Sequence, residues 1–294
     1  MQVAVLGAGT MGHGIAQVSA MAGHDVRIRD IDEDIVADGL AAIESNLNEG
    51  IERDKVTEAE AEATLDRLSG TTSLEEAVTD ADMVVEAVPE EMEIKHDTVT
   101  EVESHVGRDT LIASNTSSLS LTEIASALEH PGRAVGLHFF NPVHIMGLVE
   151  IVVAEQSSDE TVARAHDFVE DIGKTPVEVT DSPGFASSRL GVTLGVEAMR
   201  MVEEGVASPE DIDAAMELGY NHPMGPIELG DVVGLDVRLD ILEYLREELG
   251  ERFKPPQVLK RKVRAGKLGK KSGEGFYVWE DGDIVGTSGD WGDS

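Results

Sequence analysis
The stretch Gln2-Val3-Ala4-Val5-Leu6-Gly7-Ala8-Gly9-Thr10-Met11-Gly12 decides the fold, because an apolar run feeds directly into a glycine turn. Gly14 to Ala20 then reads as a helix, and Val26-Arg27-Ile28-Arg29 as a strand leading to Asp30. The order is strand, glycine turn, helix, strand, acid. Each part has a task in gripping a dinucleotide. Gly7 makes the tight turn, Gly9 lets backbone approach a pyrophosphate, and Gly12 lets helix and strand pack closely. Thr10 and Met11 complete the turn, behind which a helix N-terminus faces the phosphates. Asp30 stands eighteen residues past Gly12, where a carboxylate accepts hydrogen bonds from the ribose diol and repels a 2′-phosphate. The spacing predicts NAD rather than NADP as cofactor.

Charge is the second informative feature. Fifty-eight acidic residues against twenty-three basic ones give a formal net charge of −35 over 294 residues. The acids interleave with apolar positions instead of forming blocks, which points to a folded protein rather than a disordered one. Molar salt shrinks the Debye length to about 3 Å, so a surface this acidic is the expected form of a protein from an extremely saline cytoplasm. The same charge argues against nucleic acid as a partner. There is no cysteine, which excludes disulfides, thiolate nucleophiles and cysteine-ligated metal, and no metal site is expected. No run approaches the roughly 18 apolar residues of a membrane span, and a start that goes straight into the glycine turn without a basic region or cleavage site sets the expectation of no leader. A cytoplasmic protein without membrane contact is expected.

Strand-like segments at Gln2 to Leu6, Asp25 to Arg29, Met83 to Ala87, Leu111 to Ser114, Ala134 to Phe139, Leu148 to Ala154 and Pro176 to Thr180 alternate with helix-like ones. That alternation predicts an α/β fold with a doubly wound, mostly parallel sheet of Rossmann type. Glu33 to Leu68 reads as a polar helical stretch broken near Asn48-Glu49-Gly50. Beyond Asp181-Ser182-Pro183-Gly184 the pattern becomes helical, with Phe185, Val192, Val196, Met199 and Val202 on one face and Ser208-Pro209 opening a second helix. The expected division is a dinucleotide domain at 1–182 and an all-helical domain at 183–294. Asp281 to Ser294 reads as a frayed acidic tail.

Two strand residues suggest chemistry. His138 ends the apolar segment Gly136-Leu137-His138-Phe139-Phe140, and Glu150 lies within Leu148-Val149-Glu150-Ile151-Val152. A turn at Pro142 to Gly147 would make these strands a hairpin and set the two side chains across from one another. A carboxylate among Val and Ile needs a partner, and an imidazole held by it can take a proton from an alcohol.

Those residues, with Ser114-Asn115-Thr116-Ser117-Ser118-Leu119, Pro223-Met224-Gly225-Pro226-Ile227-Glu228-Leu229 and Gly269-Lys270-Lys271-Ser272-Gly273-Glu274-Gly275-Phe276-Tyr277, resemble the L-3-hydroxyacyl-CoA dehydrogenase family from Gln2 to about Trp279. The resemblance implies hydride transfer between NAD and the 3-position of an acyl-CoA thioester, and a homodimer formed through the C-terminal domain. It implies His138 as general base, Glu150 as its orienting partner, and Ser117 as a donor to the substrate oxygen. Glu90, Lys95 and Asn115 are implied as further cofactor contacts. Where the family usually writes Gly-Phe-Ile-Val-Asn-Arg, this chain has Gly184-Phe185-Ala186-Ser187-Ser188-Arg189, so the active-site Asn position is Ser188. A hydroxyl there still donates one hydrogen bond but lacks the amide's paired donor and acceptor.

Ten of the twenty-three basic residues fall between Arg246 and Lys271. They are expected either to form ion pairs or, with Arg53 or Lys55, to favour coenzyme A phosphates. The competing functions are a gulonate-type sugar-acid dehydrogenase on the same fold and a non-catalytic NAD-binding redox sensor.

Overall fold
β1 (Gln2–Leu6) lies inside an eight-stranded sheet in the computed structural model, which describes residues 1–289. β2 (Asp25–Arg29) and β3 (Leu68–Thr71) continue the sheet on one side, and β4 (Met83–Glu86), β5 (Leu111–Ser114) and β6 (Ala134–Phe139) on the other, all parallel. β7 (Leu148–Val153) then pairs antiparallel with β6, and β8 (Thr175–Thr180) runs parallel to β7. The order is therefore β3-β2-β1-β4-β5-β6-β7-β8. Strand order reverses at β1 and β4, and ligands of such sheets bind beyond the carboxyl ends of the strands at that reversal.

The inner strands β1, β4 and β5 are mostly apolar because helices cover both faces, with Glu86 and Ser114 at the ends of β4 and β5 the buried exceptions. On one face α1 (Gly12–Met21), α2 (Glu33–Glu52), α3 (Glu58–Leu65) and α7 (Asp159–Asp171) bury Ile15, Ile43, Leu47, Ala61 and Phe168 with the sheet. On the other, α4 (Leu74–Val78), α5 (Met92–His105) and α6 (Leu121–Ser126) contribute Ala77, Val99, Val102 and Ile124. Side chains of Asp32, Thr57, Ser73, Ser120 and Ser158 cap α2, α3, α4, α6 and α7. Such caps satisfy backbone donors that would otherwise be orphaned. α1 has no side-chain cap and no acid in its first turn.

Two local expectations change. α2 runs unbroken through Gly50, and the chain turns only after it, where Asp54 takes a positive φ of 53°. β3 was hidden because Leu-Ser-Gly-Thr is a short edge strand with no fully buried position.

The first compact unit is Met1–Phe185, and a second begins at Ala186. The second holds α8 (Ser187–Glu203), α9 (Pro209–Tyr220), α10 (Pro226–Val233), α11 (Leu235–Leu249) and α12 (Gln257–Arg264). Their shared core includes Val192, Val196, Met199, Leu242, Leu259 and Phe276. Ser208 caps α9 by accepting from Asp211 N–H, as its Ser-Pro start implies. Phe185 does not belong to the α8 stripe: it precedes the helix after the Pro183-Gly184 breaker, at φ 49°, and packs in the first unit.

The first half of the expected acidic tail, residues 281–287, instead belongs to a hairpin of β9 (Tyr277–Glu280) with β10 (Asp283–Thr287). Asp281 and Gly282, at φ 50° and 93°, make the two-residue link that Asp-Gly favours. Tyr277 and Trp279 are buried on one side of β9. Residues 290–294 of that expected tail lie outside the described residues. Among the described residues no helix is long and apolar enough to cross a membrane.

Candidate active site
The glycine turn closes over the carboxyl ends of β1 and β4. Gly7 sits at φ 99°, and a Cβ there would lie 2.5 Å from the Ala87 carbonyl oxygen. A Cβ on Gly12 would meet the Gly7 carbonyl oxygen at 1.6 Å, so helix and turn touch backbone to backbone. Gly9 differs: its Cβ position meets nothing within 4 Å. Open space there, beside the uncapped start of α1 at Thr10 and Met11, fits a pyrophosphate accepting backbone N–H groups. Asp30 closes the turn from β2, its Oδ2 accepting from Ala8 N–H at 2.8 Å and its Oδ1 from Ile31 N–H at 2.7 Å. The residues present fit a dinucleotide.

A buried ion network lies beyond β4 and β5. Glu86 is fully buried, accepting from Lys95 Nζ at 3.0 Å on both oxygens and from Ser114 Oγ. Lys95 is itself 0% exposed and reaches Glu90 Oε2 at 3.3 Å. It therefore stands behind Glu90, not at the surface. Glu90 Oε1 gathers the next loop, accepting from Thr116 Oγ1 at 2.7 Å, Ser117 N–H at 2.8 Å and Ser117 Oγ at 3.2 Å. Burial opposes ionisation of Glu90, but Lys95, Thr116 and Ser117 outweigh it and hold the carboxyl below its ordinary range. Burial pushes Glu86 upward against the pull of Lys95 and Ser114.

β6 and β7 form the expected hairpin, with His138 directly opposite Glu150. His138 Nδ1 lies 2.8 Å from Glu150 Oε2, with His138 at 6% and Glu150 at 1% exposure. Glu150 favours the tautomer with the proton on Nδ1, which leaves Nε2 as the basic atom. The ring is packed by Phe140 and Phe185, centroids 4.5 and 5.7 Å away. Asn115 Oδ1 accepts from Phe139 N–H at 3.0 Å, tying the end of β5 to the strand that carries His138.

Sequence reading missed Glu86 and Thr116. For Glu86 a signal existed: an acid ending the apolar strand Met-Val-Val-Glu, the argument that singled out Glu150. For Thr116 there was none, because its partner Glu90 is 26 residues away.

The second unit carries Ser188 in the first turn of α8. Its two resemblance-bearing motifs form structural cores. Asp213 accepts from Ile227 N–H, Glu228 N–H and Tyr277 OH; Asp231 accepts from Phe276 N–H, Tyr277 N–H and Trp279 Nε1. The basic segment is largely neutralised within its own unit, so the coenzyme A island loses support. Arg246 pairs with Glu251, Lys260 with Glu243, Arg261 with Glu203, Lys267 with Glu274 and Lys271 with Asp236. Lys262 is buried on the Gly275 carbonyl, its pKa pushed down to about 8 by burial. Arg53 pairs with Glu49 in α2.

Comparison with known proteins places the chain in a family. Residues 2–182 match the 3-hydroxyacyl-CoA dehydrogenase NAD binding domain, and residues 184–279 match the 3-hydroxyacyl-CoA dehydrogenase C-terminal domain. A probable 3-hydroxybutyryl-CoA dehydrogenase of Deinococcus radiodurans is 44% identical, over 95% of this chain and 100% of its own length. A mitochondrial hydroxyacyl-coenzyme A dehydrogenase of Rattus norvegicus is 43% identical, over 95% of this chain and 91% of its own length. The crystal structure of an (S)-3-hydroxybutyryl-CoA dehydrogenase from Ralstonia eutropha superposes with a TM-score of 0.92 at 40% identity, covering 95% of this chain and 99% of that one.

Proposed function
The chain belongs to the 3-hydroxyacyl-CoA dehydrogenase family of NAD-dependent oxidoreductases, and from that premise we propose that it interconverts L-3-hydroxybutyryl-CoA and acetoacetyl-CoA. The observation that carries the reading is the buried His138–Glu150 contact of 2.8 Å, fixed in register across β6 and β7. With its Nδ1 proton donated to Glu150, His138 takes the proton of the 3-hydroxyl on Nε2, and the carboxylate stabilises the imidazolium that forms. NAD, when bound, supplies the hydride acceptor. Ser117 keeps its backbone N–H on Glu90 while Oγ turns to donate to the substrate oxygen. In the ketone-reducing direction His138 returns the proton.

The cofactor roles of Gly7, Gly9, Thr10, Met11, Gly12, Asp30, Glu90, Lys95 and Asn115 are part of the same proposal, with Lys95 acting through Glu90. Ser188 would offer one hydrogen bond to the thioester. The domain roles follow: residues 1–182 hold the dinucleotide, and 183–294 serve substrate and dimer. Support for a homodimer comes from α8 to α11, where Leu190, Leu194, Leu218, Tyr220, Val232 and Val233 are exposed. So many exposed apolar side chains on one set of helices suit a surface covered by a second copy.

The test is purified protein in concentrated potassium chloride, offered acetoacetyl-CoA or gulonate, with either form of nicotinamide cofactor. Acetoacetyl-CoA-dependent NADH consumption supports the reading; turnover of gulonate alone would replace it. Asp30→Ala is expected to narrow the NADH preference by weakening NADH binding, since the ribose-facing carboxylate is gone. Comparable kcat/KM for NADH and NADPH in the unaltered protein would remove Asp30 from that role.

A further inference from the structure
The turn at residues 142–147, in the loop between β6 and β7, contains neither member of the proton-transfer pair, yet it is pinned from three sides. Lys174, at the end of the α7 turn, is 9% exposed and donates from Nζ to the Val143 carbonyl at 2.6 Å and the Met146 carbonyl at 2.7 Å. Beside it, Thr175 N–H at the start of β8 donates to the Gly147 carbonyl at 2.7 Å. On the α1 side, Val143 is 2% exposed and seats against Gly14, where an added Cβ would lie 2.7 Å from the Val143 Cβ. Within the loop the Pro142 carbonyl accepts from both Ile145 and Met146 N–H. The turn thus closes on Pro142, and the carbonyls of Val143 and Met146 go to Lys174.

Burying an ammonium is costly, and burial lowers the pKa of Lys174. An aliphatic side chain of similar length would fill the space without that cost, but it would leave the two carbonyls unserved. The position of the loop matters because β6 and β7 meet through it, and their register sets His138 against Glu150. The same loop touches α1 two residues past Gly12.

We propose that Lys174 is a positioning residue for the reaction: one buried ammonium draws two loop carbonyls together and fixes the His138–Glu150 hairpin against α1 and its glycine turn. The proposal rests on His138 and Glu150 being the proton-transfer pair. Small displacements of a reacting group are expensive in rate, so Lys174→Met is expected to lower kcat about tenfold, on the scale set by such misplacement. KM for acetoacetyl-CoA and NADH should stay within about twofold, because neither binding surface is cut away. Lys174→Arg, which keeps charge and several donors, should recover most of the loss.

The experiment measures kcat, both KM values and thermal stability for Lys174→Met, Lys174→Arg, Gly14→Ala, and Gly14→Ala combined with Val143→Gly, with His138→Gln in parallel. Gly14→Ala pushes Val143 from the opposite side and should lower kcat, and Val143→Gly, which removes the Cβ that the new methyl meets, should relieve it. These two keep the proposal testable if Lys174→Met fails to fold. Lowered stability with unchanged kcat in both Lys174→Met and Gly14→Ala would reduce the loop to a structural element and overturn the proposal. If His138→Gln is also fully active, the failure lies with the assigned function; if His138→Gln alone is inactive, it lies with Lys174.

Discussion
Replacing His138 by Gln is expected to lower turnover of acetoacetyl-CoA by about 10²-fold or more while leaving NADH affinity nearly unchanged, the usual size of a lost proton transfer. The Gln amide can still donate to Glu150, so the buried carboxylate keeps a partner and the fold survives. What it cannot do is carry a proton to and from the 3-oxygen. The glycine turn and Asp30 lie on other strands, which is why a fluorescence titration with NADH should read the same in both proteins. Turnover within about threefold of the unaltered protein would remove His138 from the mechanism.

The second large effect concerns salt. The formal charge is −35, and Lys95, Lys174 and Lys262 are buried, so the surface holds even less positive charge than composition suggests. Several remaining cations are committed to exposed pairs such as Arg246–Glu251 and Lys254–Glu251, which individually contribute little. We expect helical circular dichroism and turnover to be lost together as chloride falls from about 4 M to about 0.1 M, where the Debye length has grown to about 10 Å. Restoring salt should restore both. A protein fully structured and active at the low end would show that its carboxylates tolerate one another unscreened, and the salt-adapted reading would fall.

Where sequence and structure agree, local information was sufficient. Buried strands such as β1, β4 and β5 carry runs of three or more apolar residues, and the glycine turn, Asp30 and the Ser208-Pro209 start of α9 have short-range signatures. The His138–Glu150 pairing was legible because a single turn joins its strands, so register follows from two apolar runs. Lys95 was harder: on α5 it resembles an ordinary helix lysine, and its burial depends on Glu86 arriving from β4. Lys174 gave no signal, because the carbonyls it serves lie 31 and 28 residues earlier. The β9–β10 hairpin was legible in Asp281-Gly282 between Tyr-Val-Trp and Ile-Val, but the surrounding acids masked it.

The claim at the centre of this account is that His138 and Glu150 act as one proton-transfer unit on a 3-hydroxyacyl thioester. A double-mutant cycle on acetoacetyl-CoA reduction tests it most directly, with kcat measured for His138→Gln, Glu150→Gln and the double variant. Groups acting as a unit are strongly non-additive, so the double variant should be no slower than the slower single one. Losses that multiply would mean that the two residues act independently, and would contradict the account.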